Sequence, residues 1–402
     1  MRIACIHWAF PPTKGGVETH LATLLPELVK LNHKVFLLTE YIPKRSKVED
    51  FKGVKVHRSK IMNLSNYVSN IPVYKNEYER LYEEVEREIG VWIKKIKPDL
   101  VHAHNLNCFV PYHGVACEVI CEKMHIPLIL TVHQVWPNNP SFVAYTKRIK
   151  WTKIIAVSKF VKSELVKLGI EKKKIEVVYH GLDPTRFRPR SEAELKSLFK
   201  KYPKLKNKRI ILHPARIDEF KGTEYGIRAM AIVKKSFPDA ILVLTGAGKQ
   251  VSFFGDIDPY MKKIANLIEE LKLKKHVMLA DFSMDDVLML YSASDVVINP
   301  TAGSYEKGDE AFGLVTIEGN ASGKPVIVST SGALPEIIKH GFNGFVVPKR
   351  DHIALANSII KLLSNDELRK KMGENGRKLV EQKFTIERMV KNTIDVYKST
   401  VK

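Results

Sequence analysis

The chain has 402 residues, 45% of them hydrophobic, and a formal net charge of +21. That much apolar material excludes a disordered chain, and at roughly 150 residues per domain the length points to two domains. No apolar run approaches the roughly 18 residues that cross a bilayer, and charge of this size speaks of partners rather than of fold.

Residues 2–7 read as a strand that breaks at Pro11-Pro12. This opening is too short and too mixed for a secretory signal, so a cytoplasmic location is expected. Gly15-Gly16 then opens a helix to about residue 31, with strands at 34–39 and 54–58. A long amphipathic helix is expected over 77–97, ended by Pro98. Strand 100–104, a helix near 114–123, strands 128–133 and 154–157, helix 159–168 and strand 176–179 follow. Short β-branched runs alternating with helical patterns argue for parallel sheets with crossover helices.

The basic stretch 184–208, broken by Pro184, Pro189 and Pro203, reads as a linker with one short helix. The theme then restarts: strand 209–213, Lys221-Gly222, helix 223–236, strand 240–245 and the turn Gly246-Ala247-Gly248. Strands at 276–279, 296–299, 325–328 and 344–347 follow, and the polar tail from about residue 366 is helical. The expected organisation is α/β, with two doubly wound Rossmann-like domains facing across a cleft. The first spans 1–183, the linker 184–208 and the second 209–378, while 379–402 forms a helix able to pack back on the first domain.

Six features are candidates for chemistry. Gly15 and Gly16 let backbone approach a ligand ahead of a helix whose free N–H groups suit an anion, although two glycines also simply make a turn. Arg216 and Lys221 follow a strand directly and suit a diphosphate; such charge-assisted contacts are worth about 1.5–3 kcal/mol each. Glu310 and Glu318 flank Phe312-Gly313-Leu314, and ionised carboxylates accept hydrogen bonds well from sugar hydroxyls. Two surface glutamates are the plainer alternative. His133 ends a strand, where it can meet a sugar hydroxyl or serve as a satisfied core histidine. Asp256-Ile257-Asp258 has the spacing for Mg2+ or Mn2+, but Arg216 and Lys221 make a metal unnecessary. Finally, His102, His104, Cys108, His113, Cys117, Cys121 and His125 bring soft-metal ligands into one stretch. They are scattered over strand, loop and helix, so ordinary buried cysteines in a reducing compartment are expected, and no metal site.

The order of these pieces resembles the family 4 glycosyltransferases, retaining enzymes with the two-domain GT-B fold. The matching residues are Gly15-Gly16, Ala156-Val157-Ser158, Gly181-Leu182-Asp183, Arg216 with Lys221-Gly222, and Gly246-Ala247-Gly248. Glu310-x-Phe312-Gly313 with Glu318, Ser322-Gly-Lys-Pro-Val and Asn343-Gly-Phe-Val-Val-Pro continue the order, which covers nearly the whole chain. The resemblance implies that Arg216 and Lys221 hold the donor diphosphate, Glu318 the ribose and Glu310 the hydroxyls of the transferred sugar. It places Gly16 at the phosphates, Gly246 and the backbone of Phe312, Gly313 and Leu314 at the donor, and His133 near the sugar. No metal or separate cofactor is implied, and a UDP- or GDP-sugar is the expected donor. Departures occur: His180 stands where the family has Asn, Gly319-Asn320 follows Glu318, and the loop from 301 to 309 is longer and more charged.

Expected, then, is a metal-independent transferase moving a hexosyl group to a carbohydrate or lipid-linked acceptor, with domain closure over the donor. Peripheral contact with an anionic membrane fits the charge, at about 1 kcal/mol per well-placed Lys or Arg. A nucleotide-sugar epimerase or hydrolase of the same architecture is the second reading. A non-enzymatic nucleic-acid or membrane binder is the third, but no base-stacking motif or nucleic-acid module supports a nucleic-acid partner.

Overall fold

The computed structural model describes residues 1–13, 15–63, 75–108, 111–246, 259–304 and 308–401. The Asp256-Ile257-Asp258 motif, Ala247-Gly248 of the glycine turn and residues 305–307 of the charged loop lie outside the described residues. Two compact units form, Met1–His180 with Ile386–Lys402, and Gly181–Thr385.

The first unit is built on an eight-stranded sheet. Its strands are β1 (Arg2–Ile6), β2 (Lys34–Glu40), β3 (Val48–Phe51), β4 (Val54–Ser59), β5 (Leu100–His104), β6 (Leu128–Val132), β7 (Lys153–Ala156) and β8 (Ile175–Val177). They lie in the order β3-β4-β2-β1-β5-β6-β7-β8. All neighbours are parallel except β3 and β4, which pair antiparallel. All five residues of β5 and all five of β6 are buried, as expected of parallel strands covered on both faces. The order in which strands are added reverses between β1 and β5, so the carboxyl ends of those two parallel strands flank a switch point, where open α/β sheets take their ligands.

Strand β3 escapes the sequence reading because Val-Glu-Asp-Phe is short and half charged. Its local cue is the turn Lys52-Gly53, where both residues take positive φ (53° and 87°), the backbone of a tight two-residue hairpin. The helix Pro140–Arg148 likewise escapes the sequence reading. Asn139 caps it by accepting from the Phe142 N–H, and Pro140 occupies the first turn, where its missing N–H costs nothing.

The second unit has six parallel strands: β9 (Arg209–Arg216), β10 (Ala240–Gly246), β11 (Val277–Leu279), β12 (Val296–Asn299), β13 (Val326–Ser329) and β14 (Gly344–Val347). The order β11-β10-β9-β12-β13-β14 puts the switch point at the carboxyl ends of β9 and β12. Strand β9 runs three residues past the expected end and finishes on Arg216 itself. The stretch 184–208, expected to be a linker with one short helix, belongs to this unit. It folds as the helix Glu192–Lys201, started by a reciprocal capping box between Ser191 and Glu194.

The terminal helix Ile386–Lys398 belongs to the first unit. Met389, Val390, Val396 and Tyr397 enter one hydrophobic cluster with Ile3, Leu21, Leu25 and Leu37. The core of the second unit gathers Ile211, Leu242 and Ile298 from its strands with Ile227, Met230 and Ile359 from its helices. No helix among the described residues is long and apolar enough to cross a membrane.

Candidate active site

In the second unit, the loop after β9 is held by its own backbone. The Lys221 N–H donates to Asp218 Oδ1 at 2.8 Å. Gly222 then caps the helix Thr223–Ser236 in the left-handed region (φ 71°), and a Cβ there would stand 2.1 Å from the Pro300 carbonyl oxygen. Only glycine fits so close to β12's exit. Arg216 is exposed and pairs with Asp218 at 3.2 Å, whereas Lys221 turns inward and its Nζ lies 2.6 Å from Glu310 Oε2. The two cations expected to act together thus have different partners, and the structure instead joins Lys221 to Glu310.

Glu310 is buried, 8% exposed, and its backbone is fastened at both ends. Its N–H donates to Ser331 Oγ at 3.1 Å, and its carbonyl accepts from the Ala333 N–H at 2.9 Å. Thr301 Oγ1 donates to the same carboxylate oxygen that meets Lys221, at 3.2 Å. The site therefore places one buried carboxylate, one cation and one hydroxyl at the carboxyl ends of the strands. Asp309 alongside is tied to Lys349 Nζ at 2.8 Å and to Ser331 Oγ at 2.9 Å.

Glu318 sits apart from this cluster, on the helix Leu314–Ala321, which Gly313 starts with φ 86°. A Cβ on Gly313 would meet Leu334 Cδ2 at 2.5 Å. Phe312 is buried and stacks edge-on with Phe384, while Leu314 is half-buried. The carboxylate of Glu318 accepts from the Tyr291 hydroxyl. Burial raises the Glu318 pKa, opposed by that hydrogen bond and by the charge of Arg186. Tyr291 is 1% exposed, and burial and then the Glu318 charge push its own pKa well up. Tyr291 had no sequence signal; a tyrosine in an apolar helix reads as core. Gly246 pairs with Arg216 across β10 and β9, and a Cβ there would lie 2.5 Å from the Ala215 carbonyl oxygen. Sheet packing alone explains that glycine. Buried His213 at β9 is neutral, its pKa lowered to about 4 by burial.

In the first unit, Gly15 precedes the helix Gly16–Lys30 in extended conformation, and a Cβ there would run into the Glu18 carboxylate at 2.1 Å. At Gly16, no atom of the described residues lies within 4 Å of an added Cβ. Glu18 meets His7 Nε2 at 3.3 Å. Burial raises the Glu18 pKa, but the hydrogen bond and charge of His7 outweigh it and lower it overall. His133 follows β6, and its backbone N–H donates to Asn105 Oδ1 at 2.8 Å. Asn105 can do this because it turns left-handed (φ 53°) directly after β5, a conformation asparagine tolerates.

His133 does not stand alone. Its Nε2 lies 3.0 Å from His104 Nδ1, and its ring stacks on that of His180 at 5.3 Å and 9°. His180 Nδ1 in turn lies 2.9 Å from His20 Nδ1. The departure of His180 from the family's Asn therefore has a local cause: it completes a buried group of rings. Burial above all, then neighbouring histidines, holds the pKa values of His20, His104 and His133 well down, and burial lowers that of His180 to about 4. His104 ends β5 as His133 follows β6, so the rule that singled out His133 also points to His104. Of the seven residues weighed as soft-metal ligands, among the described residues only His102 and His104 fall into groups with closely spaced ligand atoms, and their companions are Cys5, His20 and His133. Cys108, Cys117 and Cys121 are buried.

Residues 14–186 match the family model Glycosyltransferase Family 4, and residues 196–379 match Glycosyl transferases group 1. An uncharacterized glycosyltransferase of Methanocaldococcus jannaschii is 28% identical, over 99% of this chain and 98% of its own. A glycosyltransferase crystal structure from Rickettsia africae superposes with a TM-score of 0.80 at 25% identity, covering 100% of this chain and 98% of that one. An Anabaena protein solved with UDP-glucose has a TM-score of 0.76 at 19% identity, covering 99% and 100%. Two Rossmann-like units, each with polar side chains gathered at the carboxyl ends of its strands, are thus those of a glycosyltransferase of the GT-B type. The chain belongs to the family 4 glycosyltransferases.

Proposed function

We propose that this glycosyltransferase moves a hexosyl group from a nucleoside-diphosphate sugar, a UDP- or GDP-sugar, to an acceptor hydroxyl with retention of configuration. The observation that carries the reading is the 2.6 Å contact between Lys221 and Glu310 at the carboxyl ends of β9 and β12. A donor diphosphate competes with Glu310 for the ammonium group. Lys221 exchanges one anion for another, and the released carboxylate accepts hydroxyls of the transferred sugar. Arg216, exposed and loosely paired, adds the second positive charge, so that two side chains supply the neutralisation that a metal supplies elsewhere. Glu318, oriented by Tyr291, accepts from the ribose hydroxyls. The family pattern assigns His133 to the transferred sugar and Gly16 to the phosphates.

In the reaction, the bond from the anomeric carbon to the diphosphate breaks with its electron pair on the leaving oxygen. The acceptor oxygen bonds to the anomeric carbon from the same face, and its proton passes to the leaving phosphate. A double displacement instead needs a carboxylate nucleophile at the anomeric carbon. Once Lys221 turns to the donor, Glu310 keeps the Thr301 hydroxyl as a partner, which suits hydroxyl recognition better than attack. The acceptor is a carbohydrate or lipid-linked hydroxyl, and the +21 charge suits work beside an anionic membrane.

A panel of UDP-, GDP- and ADP-sugars scored by thermal unfolding tests this reading. A donor at 100 times its dissociation constant adds about 2.7 kcal/mol of stability. No stabilisation by any member of the panel overturns it.

A further inference from the structure

Three histidines of the first unit come from separate elements: His20 from the helix Gly16–Lys30, His104 from the end of β5, and His133 from just beyond β6. Each offers one ring nitrogen, and the three nitrogens all lie within 4.8 Å of one another. The residues are 9%, 0% and 9% exposed. Nitrogens bound to a tetrahedral zinc at about 2.0–2.1 Å stand roughly 3.3 Å apart. His104 Nδ1 and His133 Nε2, at 3.0 Å, are already close to that spacing, so only the third ring has to close in.

A histidine kept for structure alone is pinned on both nitrogens. His102 is such a residue: Nδ1 meets the Tyr397 hydroxyl and Nε2 the Thr131 hydroxyl, each at 2.7 Å. His104 and His133 differ. His104 Nδ1 and His133 Nε2 meet each other, while the opposite nitrogens, His104 Nε2 and His133 Nδ1, are buried without a hydrogen-bond partner among the described residues. An unmet buried polar nitrogen costs about 1–3 kcal/mol, and two facing rings share this defect. The two rings are held by their contact with each other and by the stacking of His133 on His180, and by no hydrogen bond among the described residues on the two opposite nitrogens. His180, 2.9 Å from His20, supplies the outer contact that steadies a ligating imidazole. Cys5, His102 and His104 form a second close group, but His102 is fully engaged elsewhere, which leaves that group short of a ligand.

We infer that His20, His104 and His133 form a binding site for one divalent transition-metal ion of the zinc, cobalt and nickel class. Imidazole nitrogen suits these ions, and an all-histidine set without carboxylates disfavours Mg2+ and Ca2+. Three protein ligands leave one tetrahedral position open. The site shares no residue with the Lys221–Glu310 contact. His133 is common to this site and to the sugar-transfer reading, so the test reads metal retention at His20 and His104 rather than turnover.

Cobalt is the probe. Protein freed of metal by a chelator, loaded with Co2+ and passed through a desalting column, is expected to retain one equivalent and to show the visible absorption of cobalt in a nitrogen-ligand site. His20→Gln and His104→Gln are each expected to weaken retention by at least the roughly 10–100-fold that loss of an outer partner costs. His125→Gln, an exposed control, keeps it. Circular dichroism without metal establishes which variants fold; if His104→Gln does not, His20→Gln decides. Failure of the intact protein to retain cobalt, or undiminished retention in a folded variant of either ligand, overturns the inference.

Discussion

Lys221 and Glu310 are the side chains on which the account turns, and they were legible separately but not as a pair. A lysine before Gly222 and a glutamate before Phe312-Gly313 both stand in the sequence; their contact across 89 positions does not. If Lys221 stabilises charge as it builds on the leaving diphosphate, Lys221→Ala should lower kcat by about 10²–10³, more than it weakens donor binding. Pre-steady-state kinetics with calorimetric donor binding separate the two, and equal losses would mean ground-state holding alone. Glu318 gives a pH prediction. Its folded pKa is raised, chiefly by burial, so the folded protein binds more protons than the unfolded chain between the ordinary glutamate value and the raised one. Its contribution to stability therefore falls as pH rises through that window. Tyr291→Phe removes a hydrogen bond that opposes the shift, so the pKa of Glu318 should climb further and the window widen. Thermal unfolding against pH, with Glu318→Gln as the flat reference, checks this; an unchanged profile in Tyr291→Phe would show that the hydroxyl does not govern the carboxylate.

The elements were largely readable where periodicity was strong, and less so where local turn chemistry decided. Buried β6 and β12 announce themselves as largely apolar runs. The edge strand β3 does not, because one face of an edge meets water and its residues follow that exposure. The stretch from 184 to 208 reads as a linker with one short helix, and Ser191 and Glu194 form the capping box that starts that helix at Glu192. The glycines divide the same way. Gly222 and Gly313 both start helices with positive φ, and sequence alone does not distinguish them from Gly246, whose role is to let β10 lie against β9. Gly222→Ala should cost about 1–3 kcal/mol from conformation alone, with more from the clash against Pro300, and should displace the loop that aims Lys221. Chemical denaturation alongside donor titration measures both effects. A variant of full stability and full donor affinity would mean that the loop is not held as described.

For the molecule as a whole, the chain leaves the first unit at His180, builds the second, and comes back at Ile386. The terminal helix is a structural member of the first unit: Met389, Val390, Val396 and Tyr397 are each 6% exposed or less, and Tyr397 donates to or accepts from His102 at 2.7 Å. Full burial of a large apolar side chain contributes about 1.5–3 kcal/mol, so four of them approach the whole stability of an ordinary domain, about 5–15 kcal/mol. Truncation after Thr385 should therefore expose amides of β1 and β5 to hydrogen exchange while those of β9 and β12 keep their protection. Equal loss in both sheets would contradict it. The family pattern was readable over nearly the full chain because each of its motifs sits at a strand end or helix start. The histidine group was not, since its members come from positions 20, 104, 133 and 180 and meet only in the folded sheet. The central claim, sugar transfer from a nucleoside-diphosphate donor with retention, is tested most directly by following the anomeric proton of a bound donor by NMR from the first turnovers. The sugar that first appears, on an acceptor or on water, is predicted to keep the donor's anomeric configuration; an inverted first product, or no turnover of any UDP- or GDP-sugar, would contradict it.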